Sequence, residues 1–526
     1  MRRNAEGAGL RRSSTGPNAS VQDEAREDAA EALAEAATSR RHARKLSVAD
    51  VVRRIEAGPA GPKTIAVFDF DGTLIAGYSA SAFFQAQLRK AEFGPLDMAE
   101  AMTAVARSVS GAIEMQQLLA QAIAKWKGKR EDALERLGEK IFDKQLSDRV
   151  YPEMVAILMA HRKAGHTIAI ASSATRFQVE PTARFLGVEH VMTSVCESED
   201  GVLTGKLLEP QMWGPGKEAA VRAFVRKRRA RLSDTWFYAD GDEEIGLMEA
   251  VGHPVPTNPG RALAAAAKAH GWGVLRHSSR GRATPELMTR FATGLFSLMP
   301  LLYSGFAWGM LTRDRRAGAN LALPAWADSV LLASNVKLNV IGRKNLWAQR
   351  PAIFVFNHRN NFDAFFVGAL VRTDLAAVGK AELKTNPITR MMAQFMPVAF
   401  VERSGGSAVE AAKALKPVTD LIEQGYSIMV APEGTRVRDM TVPLGPFKKG
   451  PFHMAMQAGV PIVPIVIRNA LDVGGRNAVV MRPGTVDIAV LPPVQTADWS
   501  AKTIDRHVAQ VRRMFLDTLE SWPDGD

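Results

Sequence analysis

His358 and Asp363 stand five positions apart in Asn357-His358-Arg359-Asn360-Asn361-Phe362-Asp363, directly after an apolar run from Ala352 to Phe356. The run reads as a buried strand, so the pair falls where a strand gives way to a loop or helix. There Asp363 can reach one imidazole nitrogen while the other faces a substrate. That is the base-and-orienter half of a catalytic triad. No Ser or Cys accompanies the pair, which suits activation of a hydroxyl on the substrate and points to acyl transfer to an alcohol. For a single such pair, a strand-end histidine that merely caps a helix is the commoner outcome. A second motif weighs against it, because Pro432-Glu433-Gly434-Thr435-Arg436 follows another apolar run, Ser427 to Ala431.

A different chemistry is written near the other end. Thr64 to Phe68 is a short β-rich run ending in Asp69-Phe70-Asp71-Gly72-Thr73-Leu74. Two carboxylates two apart at a strand end point to the same side. Such a pair can share a divalent cation, one carboxylate attacking phosphorus and the other passing a proton. The bland alternative is a strand closing in an Asp-Gly turn. The partners decide between them. Ile168 to Ala171 is a second apolar strand ending at Ser172. Lys217 lies in Gly-Pro-Gly-Lys at the start of a helical run. A third strand, Trp236 to Ala239, ends at Asp240-Gly241-Asp242-Glu243-Glu244.

The first pair of motifs, with Phe400-Val401-Glu402-Arg403, Phe447-Lys448-Lys449-Gly450 and Val460-Pro461-Ile462-Val463-Pro464-Ile465, resembles the glycerophospholipid acyltransferase family. That family is best known from lysophosphatidate (1-acylglycerol-3-phosphate) acyltransferase. Four blocks occur in order over roughly residues 337 to 495, and order with spacing makes the match specific. Ala431 and Val437 depart from the family's usual Phe and Ser, and neither removes a group the mechanism needs. The resemblance implies that His358 removes the hydroxyl proton and Asp363 fixes the imidazole tautomer. It implies that Arg403 with Gly434-Thr435-Arg436 holds the acceptor's phosphate. Glu433 either positions the acceptor or orders its loop. The donor is an acyl thioester on coenzyme A or acyl carrier protein. Lys448 and Lys449 read as a solvated turn rather than headgroup contacts.

The second set resembles the haloacid dehalogenase (HAD) superfamily of phosphohydrolases, in its phosphoserine phosphatase-like branch, over about residues 62 to 275. The resemblance implies Asp69 as nucleophile, Asp71 as general acid/base, and Ser172 and Lys217 on the phosphoryl oxygens. It implies a Mg²⁺ site drawn from Asp69, Asp71, Asp240 and Glu244. Where the family commonly shows G-D-S-x-x-D, this chain has Ala239, Asp240, Gly241 and Glu244. Glu244 keeps the charge but is one methylene longer, which bears on metal affinity.

At 526 residues the chain has room for two or three domains, and 46% apolar residues are ample for large cores. The lone cysteine, Cys196, excludes an internal disulfide framework and fits a reducing compartment. The net charge of +12 fits nucleic acid or an anionic membrane. No aromatic-interleaved basic strand or zinc spacing is present, so the membrane reading is favoured and nucleic acid is not expected as a partner.

The elements that must position these motifs follow the α/β pattern. Residues 1–58 are expected as a disordered tail rich in Ala, Arg, Glu and Ser, with no secretory apolar core. Residues 59–275 are expected as a HAD Rossmann-like parallel sheet. Its helical cap is expected at about 79–150, with helices over Ala80–Arg89, Leu96–Val109, Met115–Lys125 and Glu131–Phe142. Residues 276–336 are expected as a membrane-associated helical linker. Within it, Phe291 to Leu311 carries no charge over twenty-one residues, enough for one crossing. Basic residues flank both ends, which disfavours a single span. A re-entrant or interfacial helix on the cytoplasmic side of the cell membrane is expected, paired with Leu321 to Val336 as a hairpin. A buried core helix is the alternative, although such a helix is usually more polar on one face. Residues 337–526 are expected as an α/β acyltransferase domain, with strands at 336–341, 352–356, 396–401, 427–431 and 462–467 and a helix from Val409 to Gln424.

Three readings follow. The first is a bifunctional membrane-associated enzyme that acylates 1-acylglycerol-3-phosphate and hydrolyses a phosphomonoester. That ester is a phosphorylated amino acid, a lysophospholipid or the acyltransferase's own product. The second keeps the acyltransferase and makes the HAD half non-catalytic. The third is a membrane-surface lipid-binding adaptor with neither activity, and two complete catalytic sets argue against it.

Overall fold

A computed structural model describes residues 45–89, 115–281, 283–380, 397–401, 408–437 and 439–523. The amino-terminal half is built on five parallel strands in the order His190–Ser194, Thr167–Thr175, Ile65–Phe68, Thr235–Ala239, His253–Pro256. The central strand, Ile-Ala-Val-Phe, is buried on both faces, as a parallel sheet covered by helices requires. Phe68 is level with Ile170 on one side and Tyr238 on the other. Asp69, Ser172 and Asp240 therefore leave the same carboxyl-terminal edge, the edge where open α/β sheets bind ligands.

The chain is ordered earlier than the sequence suggests. Residues 45 to 56, expected within a disordered tail, form a short strand, Lys45–Leu46, beside Val274–Leu275, and a helix, Val48–Glu56. Ser47 closes that helix with a capping box to Asp50, and Val51 and Ile55 are buried. Two apolar residues at helical spacing bury against the domain, which the polar composition around them concealed. Residues 1–44 lie outside the described residues.

The cap contributes helices Ser79–Arg89, Met115–Ala124 and Glu131–Ile141, the last continuing into a π-turn, Phe142–Leu146. The expected helix over 96–109 lies outside the described residues. A hairpin of Cys196–Glu199 and Val202–Leu207 was not foreseen. Its turn residues Asp200 and Gly201 both have positive φ, an Asp-Gly signal that flags such a hairpin.

The linker forms helices Pro285–Phe296, Leu298–Thr312 and Arg315–Ala333, the last two packed side by side as a hairpin. Arg313, at φ 54, makes the reversal. The two helices meet at Gly305 and Gly318, where a Cβ on either would strike the other's backbone oxygen at 2.6 or 2.2 Å. Small residues are what allow this approach. One continuous run, Pro285–Thr312, is long and apolar enough to cross a membrane by length and composition. It is not a core helix. Phe296, Tyr303, Phe306, Met310 and Leu311 are each 66–77% exposed.

The carboxyl-terminal half carries a seven-stranded sheet in the order Val336–Ile341, Gly484–Val490, Ile462–Ile467, Ile353–Phe356, Ser427–Val430, Leu375–Lys380, Val398–Val401. All neighbours run parallel except Ile462–Ile467 with Gly484–Val490. The Ile353–Phe356 and Ile462–Ile467 strands are buried throughout, each Ile, Val or Phe contributing roughly 1.5–3 kcal/mol. Leu375–Lys380 and Gly484–Val490 were missed in the sequence, where no catalytic motif marks them.

Candidate active sites

In the acyltransferase half, Ile353–Phe356 delivers Asn357 and His358 to the carboxyl edge of the sheet, and the next helix, Asp363–Val371, opens on Asp363. His358 Nδ1 lies 2.8 Å from Asp363 Oδ2. The same oxygen accepts the backbone N–H groups of Arg359 at 2.6 Å and Asn360 at 2.9 Å. Asp363 is fully buried, whereas the His358 side chain is 30% exposed. A buried carboxylate fed by two amides is fixed in place and holds the imidazole by its Nδ1. Such an arrangement can supply a general base of one orientation.

The PEGTR turn meets this loop from the neighbouring strand. Glu433 is buried, and its two oxygens accept the backbone N–H of His358 and of Gly445, each at 2.8 Å. Both oxygens are engaged by backbone amides of this chain, which is the loop-ordering one of the two roles expected for Glu433. Gly434, at φ 69, and Thr435 form the exposed turn. Arg436 Nη1 donates to Asn361 Oδ1 and to Arg476 O, each at 2.5 Å. Arg403 lies outside the described residues. Lys449 pairs with Asp505 at the surface, in keeping with a solvated turn.

The motif's asparagines went unassigned in the sequence, and they bind the site together. Asn357 exchanges two hydrogen bonds with the Ile467 backbone, at 2.8 and 2.7 Å. Asn360 donates to Ala470 O and Gly474 O, and Asn361 to Ala478 O. The proline-flanked apolar block is thereby anchored to the His358 loop. Three asparagines within five residues of a candidate base were the available signal.

In the HAD half the site is assembled from distant segments. Lys217, at the start of the Pro215–Lys227 helix, is buried, with Nζ 2.8 Å from Asp69 Oδ1 and 2.5 Å from Glu244 Oε1. Ser172 is buried in the Thr167–Thr175 strand, just before a register shift, and accepts Ala174 N–H at 3.1 Å. Thr73 Oγ1 donates to Asp240 Oδ1 at 3.1 Å. Gly72 has φ +77 and lies so close to Asp240 that a Cβ would meet Oδ2 at 2.0 Å, so only glycine fits this turn. Asp71 Oδ1 accepts Ser79 N–H at 2.7 Å and its Oδ2 the Ser79 hydroxyl at 3.1 Å.

Burial, with Asp69 nearby, pushes Asp71 up to about 7 against the Ser79 hydrogen bonds. Burial and Asp69 likewise push Asp240 up to about 8. Burial opposes the charge on Lys217, but Asp69 and Glu244 outweigh it and hold the ammonium above its ordinary range. The common cause is several carboxylates enclosed with one cation. A hard divalent ion such as Mg²⁺ would balance that excess and suits oxygen donors, and Asp69 and Asp240 are the carboxylates that would hold it. The expected four-carboxylate set is not assembled. Asp71's oxygens are turned to Ser79, and Glu244's extra methylene carries Oε1 to Lys217. Among the described residues no group of three or more His, Cys, Asp or Glu is gathered to hold an ion.

Residues 66–249 match the family model of haloacid dehalogenase-like hydrolases, and residues 337–468 match that of acyltransferases. A 1-acyl-sn-glycerol-3-phosphate acyltransferase of Limnanthes douglasii is 28% identical over 233 residues, 42% of this chain and 79% of that protein. Phosphoserine phosphatase SerB1 of Mycobacterium tuberculosis is 29% identical over 214 residues, 40% of this chain and 69% of that protein. The solved structure of the 1-acyl-sn-glycerophosphate acyltransferase from Thermotoga maritima aligns with a TM-score of 0.36 at 21% identity, covering 45% of this chain and 95% of that one. The chain is a fusion of a haloacid dehalogenase-like hydrolase domain with an acyltransferase domain.

Proposed function

We propose that the chain is a bifunctional phospholipid-biosynthesis enzyme, a 1-acylglycerol-3-phosphate O-acyltransferase joined to a Mg²⁺-dependent phosphomonoester hydrolase. The observation that carries the first activity is the 2.8 Å contact of His358 with a fully buried Asp363. His358 Nε2 takes the proton of the acceptor's free hydroxyl, and that oxygen attacks the carbonyl of an acyl-CoA or acyl carrier protein thioester. The C–S bond breaks, and the imidazolium returns its proton to the departing thiolate. Asp363 steadies the imidazolium throughout. Arg436, with Arg403, holds the acceptor's phosphate through charge-assisted hydrogen bonds.

In the hydrolase half, Asp69 attacks phosphorus and forms an aspartyl-phosphate while the ester oxygen departs. Asp71, raised to about 7, gives that oxygen its proton and then takes one from the water that releases phosphate. Ser172 and Lys217 hold the phosphoryl oxygens. Bound Mg²⁺ would neutralise charge on the transferring group. The exposed apolar face around Tyr303, Phe306 and Leu311 supports seating of the helical hairpin at the cytoplasmic membrane surface.

One observation favours a non-catalytic hydrolase half, namely Glu244 at 2.5 Å from Lys217, which ties up the phosphate-binding ammonium. Incubating 1-acylglycerol-3-phosphate with acyl-CoA and Mg²⁺ tests both readings, using the full chain, Asp69→Asn and His358→Ala in parallel. Loss of phosphatidate only with His358→Ala and of free phosphate only with Asp69→Asn supports two enzymes. Phosphate release by no variant, with a panel of phosphomonoesters included, favours the non-catalytic domain. Acyl transfer that survives His358→Ala overturns the acyltransferase mechanism.

A further inference from the structure

The loop from Asn469 to Arg482 is gripped from two sides. On its inner side its carbonyls hold Asn360, Asn361 and Arg436 of the acyltransferase motifs. On its outer side it is held by the hydrolase domain. Arg476 Nη1 pairs with Asp143 Oδ1 at 3.0 Å, with the arginine side chain 9% exposed. Asn477 donates to Asp143 O, and Gly475 N–H donates to Asp148 Oδ1 at 2.8 Å. Asp143 lies on the π-turn that ends the cap. Farther along, linker Arg280 donates to Leu471 O and to Asp472 O, and Ser279 beside it is bonded to Glu153 at 2.6 Å.

Arg476 is the point where the two grips meet. Its carbonyl accepts Arg436 Nη1 at 2.5 Å, and its own Nη2 returns a bond to Arg436 O at 3.4 Å. Arg436 Nη1 is also fixed by Asn361 Oδ1, three residues from His358. We propose that Arg476 is a positioning residue for the acyl-acceptor site: braced on Asp143 of the hydrolase domain, it sets Arg436 where the acceptor's phosphate binds. This deepens the acyltransferase reading and rests on it. The physical reason is geometric. A side chain held by two acceptors on one nitrogen has a fixed fork direction, and one acceptor belongs to a loop whose place depends on the other domain. Undocking would let Arg436 swing while leaving the His358–Asp363 contact, which is internal to its own loop, in place. The hydrolase fold thereby serves acyl transfer whatever its own substrate.

The test is steady-state acyl transfer by the full chain and by its Asp143→Ala and Asp143→Asn variants. 1-Acylglycerol-3-phosphate and acyl-CoA are varied in turn, and thermal midpoints are recorded beside the kinetics. KM for the phosphorylated acceptor is expected to rise about tenfold in Asp143→Ala, below the ~10²-fold cost of misplacing a reacting group by 1 Å. The isosteric Asp143→Asn should rise less, and kcat and the KM for acyl-CoA should hold. Arg476→Lys, which keeps the charge but not the second donor, should fall between wild type and Asp143→Ala. An unchanged acceptor KM in both Asp143 variants overturns the proposal. So does a parallel loss of kcat and of both KM values with a lowered midpoint, which marks a merely structural interface. Acyl transfer insensitive to His358→Ala in the otherwise unaltered chain identifies failure of the acyltransferase reading instead, and the proposal falls with it.

Discussion

The two sites solve the problem of holding a carboxylate in opposite ways. In the acyltransferase half the carboxylate and its base are five residues apart, and one buried oxygen of Asp363 satisfies an imidazole and two amides. In the hydrolase half Asp69, Ser172, Lys217 and Asp240 come from four segments spread over more than 170 positions of sequence. There the carboxylates crowd one another, and Asp71 and Asp240 are pushed up to about 7 and 8. A local site can be nearly self-contained because neighbouring amides hold its carboxylate. A site gathered from strand ends encloses more charge than it neutralises, and that surplus suits binding a phosphoryl group with a cation.

Several measurements would break or sharpen this contrast. Asp69→Asn has the largest expected effect, a loss of phosphate release beyond the ~10²–10⁴-fold of an acid/base group, because the nucleophile is gone. Malachite-green detection of phosphate reads it, and acyl transfer should be untouched. His358→Ala should cost acyl transfer about 10²–10⁴-fold while phosphate release continues, read from labelled phosphatidate. If either variant silences both activities, the sites are not independent.

Glu433→Gln comes next. It keeps one acceptor but turns an amide toward a backbone N–H, which costs about 1–3 kcal/mol for the donor left unsatisfied. Acyl transfer should fall about tenfold or more at that cost, with both substrates' KM values less affected than kcat. A KM effect confined to the acceptor would restore Glu433 to direct substrate contact.

A further effect falls on stability rather than on either activity. His161 is buried between His166, at 2.8 Å, and Tyr238, and burial with His166 beside it pushes its pKa down to about 3. The neutral imidazole contributes fully above its ordinary value of about 6.5. Its contribution is lost as pH falls through that value toward 3, at up to about 1.4 kcal/mol per pH unit. Urea unfolding of the hydrolase half at pH 7, 6, 5 and 4 should show that slope, and His161→Gln should flatten it. Equal slopes would mean that His161 protonates without cost.

Much of this was legible in the sequence because strands that deliver catalytic residues announce themselves. Ile65–Phe68, Thr235–Ala239, Ile353–Phe356 and Ser427–Val430 are apolar runs ending in polar motifs, and they fell within a residue or two of expectation. Leu375–Lys380 and Gly484–Val490 end in no motif and were missed. The Val48–Glu56 helix was hidden because only Val51 and Ile55 are buried in a polar stretch. The apolar run 291–311 was readable as helical and long enough to cross a membrane. Its pairing through Gly305 and Gly318 depends on backbone approach that composition does not encode.

By itself the sequence determined the two domain families, since residue type and spacing carry the motifs by which each is matched. It also determined the order of the two domains and the apolar segment between them. Only the tertiary structure decided what each carboxylate does. Glu433 and Asp71 are acidic residues in catalytic motifs, yet the first accepts two backbone amides and the second is oriented by Ser79. Glu244 went to Lys217 because one more methylene let it reach. Asp143 and Arg476, more than three hundred positions apart, belong to no motif and meet only because the two domains dock. Hydrogen-bond commitment is a matter of ångströms in three dimensions, and spacing along the chain does not carry it.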